Sequence, residues 1–305
     1  MTVPPSTVSD KHTPGRWARA LGRLGRRGSP GDPGGANGGR VRREALLYYA
    51  HFKSPAVLRE VARLRNELDS RYAIFVIGYC RTSGALDGIN RVPVREYSQY
   101  DLAGLPYPGK AARFNPNDYT GNCDLAPMRF FLERPDYDYY WIIEYDVRFS
   151  GAWPELFADL SRSNADLLGT TMQSWAENPQ WAHWGTLITG REDVPMERRV
   201  KSFIPFCRVS RALLQASDER YRRGWGGHAE VVWPTIASLA GLSLEDIGGT
   251  GRFTPPERRG RYYSNTPSEW SQFPGTFVYR PSFADRNLFG PGCHFTGTLW
   301  HPVKE

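Results

Sequence analysis

Several familiar chemistries are missing from this chain. Its four cysteines, Cys80, Cys123, Cys207 and Cys293, are widely scattered and form no Cys-x-x-Cys pair. A zinc ribbon is thereby not expected, and reduced thiols are the expectation for a chain of this length. The six histidines form no His-x-x-x-His pair, so a metalloprotease helix has no footing. No apolar run is long enough for a membrane span, and no signal-peptide core follows Met1, so the expected location is cytoplasmic. No Gly-x-Gly-x-x-Gly follows the first strand-like segment, which removes the dinucleotide fingerprint. There is no internal repeat.

Net charge is absent over most of the chain. The net +7 of the 305 residues resides entirely in residues 1–43, and the remainder carries as many acidic as basic side chains. A neutral body gives no support for a nucleic-acid groove. Residues 1–43 are rich in Gly, Pro and Arg and are expected to form a disordered basic tail with a flexible linker at residues 28–39. Within it, Trp17-Ala18-Arg19-Ala20-Leu21-Gly22-Arg23-Leu24 has a basic amphipathic pattern. A solvated arm is the favoured reading, and weak peripheral contact with anionic lipid or an acidic partner is the alternative. Residues 44–305 suffice for one domain with its own core.

The body opens with Ala45-Leu46-Leu47-Tyr48-Tyr49-Ala50, a buried strand by composition. Ser54 is placed to cap a helix with Pro55 at its first position, and Val57, Leu58, Val61, Leu64 and Leu68 recur at helical spacing. Tyr72-Ala73-Ile74-Phe75-Val76-Ile77-Gly78-Tyr79 is a second strand, completing a unit that crosses over into a parallel sheet. Residues 81–121 read as loops and short elements. Further helices are expected at 124–134, 153–161 and 211–216, and strands at 165–171 and 206–210. Trp175, Trp181 and Trp184 sit among polar residues; core packing is favoured over stacking on a sugar. From about residue 248 the chain reads as irregular.

The most informative stretch is Tyr139-Tyr140-Trp141-Ile142-Ile143-Glu144-Tyr145-Asp146-Val147-Arg148. Its apolar run reads as a strand buried on both faces. Alternation would turn Glu144 and Asp146 to one side and Tyr145 to the other. Two acids at the carboxyl end of a central strand can grip a divalent cation, at the edge where open α/β sheets bind ligands. On spacing alone, an ordinary solvated strand end reads equally well. A second candidate is Gly224-Trp225-Gly226-Gly227-His228-Ala229-Glu230, a glycine-rich turn opening onto a helix, which brings backbone close to a ligand and Glu230 to a helix start.

Together these pieces resemble glycosyltransferases of the GT-A fold, and are similar to poorly characterised microbial members with Glu-x-Asp-Val in place of Asp-x-Asp. The resemblance spans roughly residues 44–305. It rests on Glu144-Tyr145-Asp146-Val147-Arg148 after an apolar strand, on Gly227-His228-Ala229-Glu230, and on the terminal His301-Pro302-Val303-Lys304. It implies an α/β, GT-A-like single domain with a mostly parallel central sheet flanked by helices. It also implies Asp146 as the protein carboxylate on a divalent metal, with Glu144 nearer the ribose or donor sugar. His301 would complete the metal site, which suits Mn2+, with Mg2+ also open. Lys304 would neutralise a diphosphate oxygen as a point charge.

For an inverting reaction Glu230 is the candidate base and His228 its orienter or an acceptor contact; stabilisation of the helix N-terminus is an equally good use of Glu230. Tyr49, His51 and Lys53 sit where such proteins commonly recognise the nucleotide, and Arg81 could meet a phosphate, though for each of these, and for Asp124 as a cap, a structural role is favoured. The implied activity is metal-dependent transfer of a hexosyl or N-acetylhexosaminyl group from a nucleotide-sugar donor to a glycan, lipid-linked or small-molecule hydroxyl. The alternatives are a non-catalytic carbohydrate- or nucleotide-binding protein on the same fold, and a nucleotidyltransferase. The last is disfavoured by the lack of a glycine- and basic-rich loop after the first strand.

Overall fold

The computed structural model describes residues 42–89, 91–117, 119–265, 275–285 and 296–305. The expected tail therefore lies outside the described residues except for Arg42 and Arg43, as does Cys293. Arg43 is tied to the body, donating its N–H to the Asp138 carboxylate at 3.0 Å and accepting the Asp138 N–H at 2.8 Å.

The strands, in chain order, are β1 (Glu44–Tyr49), β2 (Tyr72–Tyr79), β3 (Val94–Tyr97), β4 (Tyr139–Glu144), β5 (Arg148–Phe149), β6 (Leu167–Ser174), β7 (Ile188–Thr189), β8 (Val200–Ser210), β9 (Trp225–Gly226), β10 (Leu244–Asp246), β11 (Phe283–Ala284), β12 (Leu299–Trp300) and β13 (Val303–Lys304). The helices are α1 (Pro55–Glu67), α2 (Gln99–Ala103), α3 (Pro108–Ala111), α4 (Leu125–Glu133), α5 (Trp153–Leu160), α6 (Arg211–Arg222) and α7 (Ala229–Leu239). None among the described residues is long and apolar enough to cross a membrane.

Seven strands make one sheet in the order β10-β6-β8-β4-β1-β2-β3, and only β8 runs against its neighbours. This is the mostly parallel α/β architecture expected of a GT-A-like domain. Alternation along β1 sends Ala45, Leu47 and Tyr49 into one core and Leu46 and Tyr48 into the other. The first core is covered by α4, α6 and α7, through residues such as Phe130, Leu214 and Val232. The second is covered by α1 and α5, through Val57, Val61, Trp153 and Phe157. With helices on both faces, central strands must be apolar throughout, which is why β1 and β4 read as continuous hydrophobic runs.

Helix α1 starts where Ser54 and Pro55 foretell it, with the Ser54 hydroxyl accepting the Val57 N–H at 3.3 Å. Strand β8 is the element most underread from sequence. It begins at Val200 rather than 206, because Lys201, Ser202 and Pro205 mask a wholly buried strand. Its pairing with β6 slips twice between Leu168 and Gln173, and this irregular stretch accommodates a proline that cannot donate to the ladder. Thr171 lies in the slip with φ 47°, held by the Tyr263 hydroxyl on its N–H at 2.7 Å. Trp181 and Trp184 are buried in the first core, as favoured.

Candidate metal and nucleotide site

The chain passes from β1 to β2 and β3 on one side, then returns to β4 on the other. The carboxyl ends of β1 and β4 thus flank a topological switch point, where open α/β sheets leave a crevice for ligands. Tyr49 and Glu144 are the closing pair of that register.

Beyond Glu144 the chain does not continue as a strand. The Val147 N–H donates to the Glu144 carbonyl at 2.9 Å, closing a turn over Tyr145 and Asp146. The two acids therefore converge by a turn, and the strand alternation expected to align them does not apply. Arg148 fixes that turn from below, donating to the Tyr145 and Val147 carbonyls at 2.7 and 2.8 Å. Tyr48 adds a hydroxyl on the Tyr145 carbonyl at 3.1 Å.

The C-terminal segment is zipped onto this turn. Strand β12 pairs antiparallel with β5, and the Val303 N–H donates to the Asp146 carbonyl at 2.8 Å. Strand β13 pairs with β11. His301 is delivered between Phe203 and Phe277, with ring centroids at 5.1 and 5.4 Å. Its Nδ1 lies 2.8 Å from the Val278 carbonyl, which can only accept, so the proton sits on Nδ1. The unprotonated Nε2 then faces Asp146 Oδ1 at 3.5 Å and Glu144 Oε2 at 3.9 Å. Burial lowers the His301 pKa against the pull of Asp146, which keeps the imidazole neutral and able to ligate.

One ligand atom from each of Glu144, Asp146 and His301 lies within 4.8 Å of the others. Asp146 Oδ1 is buried with no hydrogen-bond partner. Burial and the adjoining Asp146 carboxylate push Glu144 up to about 8, with Lys304 pulling the other way. An orphaned carboxylate oxygen, a second acid resisting ionisation and a neutral imidazole form a donor set that fits a divalent cation. Lys304 lies on the outer side of Asp146, with Nζ 2.6 Å from Oδ2 and 2.7 Å from the Tyr145 hydroxyl.

The other predicted residues fall around this centre. Tyr49 is buried beside Glu144 in the β1–β4 register and stacks on Tyr119, which stacks in turn on Tyr79. Arg81 is exposed and donates to the Asn117 carbonyl at 3.1 Å; its charge reaches His51, whose ring packs on Tyr145. Lys53 donates to the Asp87 carbonyl at 2.8 Å.

His228 is the N-cap of α7, accepting the Glu230 N–H on Nδ1 at 3.4 Å, and stacks on His183 with centroids 4.3 Å apart. Gly227 before it has φ 111°, and a Cβ there would strike the Thr186 carbonyl. Desolvation first, and then the Glu144, Asp124 and Glu230 carboxylates, raise the half-buried Cys123 thiol.

Asp124 stands at the N-cap position of α4, but its side chain makes no capping bond. It is wholly buried in an ion pair with Lys110 at 2.7 Å, and it accepts the Tyr221 hydroxyl at 2.5 Å. The Lys110 ammonium also donates to the Gly227 carbonyl at 2.8 Å, so this pair supports the turn that presents His228 and Glu230. Nothing in the local sequence signals it, since Lys110 sits in a short loop helix. Tyr145 likewise carries no sequence signal, and its neighbours, the adjacent pair His51 and Phe52 and the distant Lys304, come from two separate segments.

No family model matches this chain, and no curated protein matches it either. Among solved structures it is similar to core-mannan synthase A from Aspergillus fumigatus in its Mn/GDP form, at 13% identity over 77% of this chain and 88% of that one, with TM-score 0.34. It is also similar to a mannosyltransferase from Pyrobaculum calidifontis in complex with GDP-Man and Mn2+, at 12% identity over 72% of this chain and 56% of that one, with TM-score 0.40. A third is the 4-diphosphocytidyl-2C-methyl-D-erythritol synthase from Anaerococcus prevotii, at 6% identity over 68% of this chain and 86% of that one, with TM-score 0.40. Likenesses this distant carry nothing on activity or substrate, for which the chain's own residues must serve.

Proposed function

We propose that this chain is a metal-dependent glycosyltransferase that moves a sugar from a nucleotide-sugar donor to a hydroxyl of a glycan, lipid-linked or small-molecule acceptor. The observation that carries it is the convergence of Glu144, Asp146 and His301 at the switch point, with Asp146 Oδ1 buried and unpartnered. A divalent cation, Mn2+ or Mg2+, held by Asp146 and His301 supplies neutralisation of the charge that builds on the leaving diphosphate. A nitrogen among oxygen donors favours Mn2+.

Within that reading Asp146 is the firm ligand. Glu144, being reluctant to ionise, serves the donor ribose or sugar or binds through water. Lys304, partly exposed beside Asp146, meets the diphosphate, and the exposed Arg81 offers a further phosphate contact. Tyr49, buried beside Glu144, supports that side chain rather than touching the base. Glu230, at the first turn of α7, takes the acceptor proton, and His228 fixes the backbone that carries it.

The test is thermal unfolding with UDP and with GDP, each with Mn2+ or EDTA. A ligand at 100 times its Kd stabilises the fold by about 2.7 kcal/mol. Metal-dependent stabilisation by one nucleotide, lost in Asp146→Ala without loss of fold, is the expected outcome. Full donor turnover by Asp146→Ala would remove the site assignment. Pyrophosphate release from a nucleoside triphosphate would point to nucleotidyl transfer instead.

A further inference from the structure

Lys304 was expected to meet a diphosphate, yet its ammonium is engaged with Asp146 Oδ2 at 2.6 Å. Resting on the metal reading of the acid pair, we propose that Lys304 is a built-in counter-ion. It competes with the divalent cation for Asp146, and entry of the cation moves it onto the diphosphate. Metal and nucleotide binding are thereby coupled through one side chain.

The geometry divides Asp146 between two cations. Its Oδ2 faces Lys304, while Oδ1 faces His301 Nε2 at 3.5 Å and has no hydrogen-bond partner. A divalent ion on Oδ1 draws on the same carboxylate charge that holds the ammonium and repels that ammonium directly. The two side chains differ in their freedom to respond. Asp146 is buried at 6% side-chain exposure, whereas Lys304 is 45% exposed and can swing into water on its flexible stem.

The backbone on either side of Lys304 is pinned, so the swing needs no movement of the chain. Val303 donates its N–H to the Asp146 carbonyl at 2.8 Å. The Glu305 carboxylate accepts the Ser54 hydroxyl at 2.5 Å and the Ala56 N–H at 2.7 Å, at the start of α1. Tyr145 guides the displaced group. Its hydroxyl accepts from Lys304 at 2.7 Å and its ring lies under the ammonium at 4.6 Å, at the rim beside His51 and Phe52.

The test is Mn2+ titration of the nucleotide-free full chain, followed by UDP and GDP titration in saturating Mn2+ and in EDTA. It compares wild type with Lys304→Met, Lys304→Arg and Tyr145→Phe. For Lys304→Met, Mn2+ alone should bind about fivefold more tightly, the equivalent of a partly exposed ion pair removed from competition. The nucleotide in saturating Mn2+ should bind about tenfold more weakly, from loss of a charge-assisted phosphate contact. Lys304→Arg should stay near wild type in both. Tyr145→Phe, which loosens the lysine but keeps its charge, should tighten Mn2+ without weakening the nucleotide.

These shifts of opposite sign are what a merely structural lysine would not produce. If wild type binds Mn2+ and Lys304→Met binds it equally or less tightly, the counter-ion role is overturned. If wild type binds nucleotide equally well in EDTA and Lys304→Met does not, the lysine stands in for the metal and displacement is overturned. If neither protein binds Mn2+, the metal reading itself fails and the inference fails with it.

Discussion

Glu144 holds its proton more tightly in the folded protein than in the unfolded chain, because burial and the Asp146 carboxylate both oppose its ionisation. The folded state therefore binds more protons between its usual 4.5 and about 8, and this group's contribution to metal-free stability falls as pH rises across that window. The difference in midpoint between wild type and Glu144→Gln, followed in EDTA from pH 5 to 8.5, should show wild type losing ground as pH rises; a constant difference would refute the argument. Mn2+ affinity should move the opposite way, strengthening with pH. At His301, the Val278 carbonyl holds Nδ1–H and leaves Nε2 toward the acids. His301→Ala should raise the Mn2+ concentration for half-saturation by about 10- to 100-fold, on the scale of losses around metal ligands, while His301 lies outside the first shell if the titration is unchanged. The acids themselves were legible as a motif. The tautomer and the resistance of Glu144 to ionisation were not, because both depend on burial and on groups from remote segments.

At the scale of elements, local rules placed α1 and β2 almost to the residue, since a Ser-Pro start and a continuous apolar run are encoded side by side. They failed at β8, where Lys201 and Ser202 are buried in a strand sandwiched between β4 and β6. They also failed at the Lys110–Asp124 pair, which joins the loop helix α3 to the start of α4 and to the turn before α7. With the pair almost wholly buried, Lys110→Met should destabilise the protein by about 3–5 kcal/mol, because it leaves Asp124 charged and unmatched. The double change Lys110→Met with Asp124→Asn should recover part of that loss in denaturant unfolding. If the single and double variants unfold alike, the pair is not what holds the turn.

At the scale of the molecule, charge and site are segregated. The net +7 belongs to residues 1–43, whereas Glu144, Asp146, His301, Lys304, His228 and Glu230 all belong to the electrically neutral remainder. Deleting residues 1–41 should therefore leave Mn2+ binding unchanged and abolish any adsorption to anionic vesicles measured by co-sedimentation; residual adsorption of the deleted form would move the contact onto the body. The sequence by itself determined the apolar strands, the helix starts, the acid pair and the position of the charge, because hydrophobic period, capping and composition act between near neighbours. Only the tertiary structure decided what the acids meet. Lys304 reaches Asp146 across 158 positions, and His301 is aimed by β5, β12 and the Val278 carbonyl. Which buried oxygen stays unpaired, and which cation lies beside it, is a matter of desolvation and distance between segments that become neighbours only when the sheet closes.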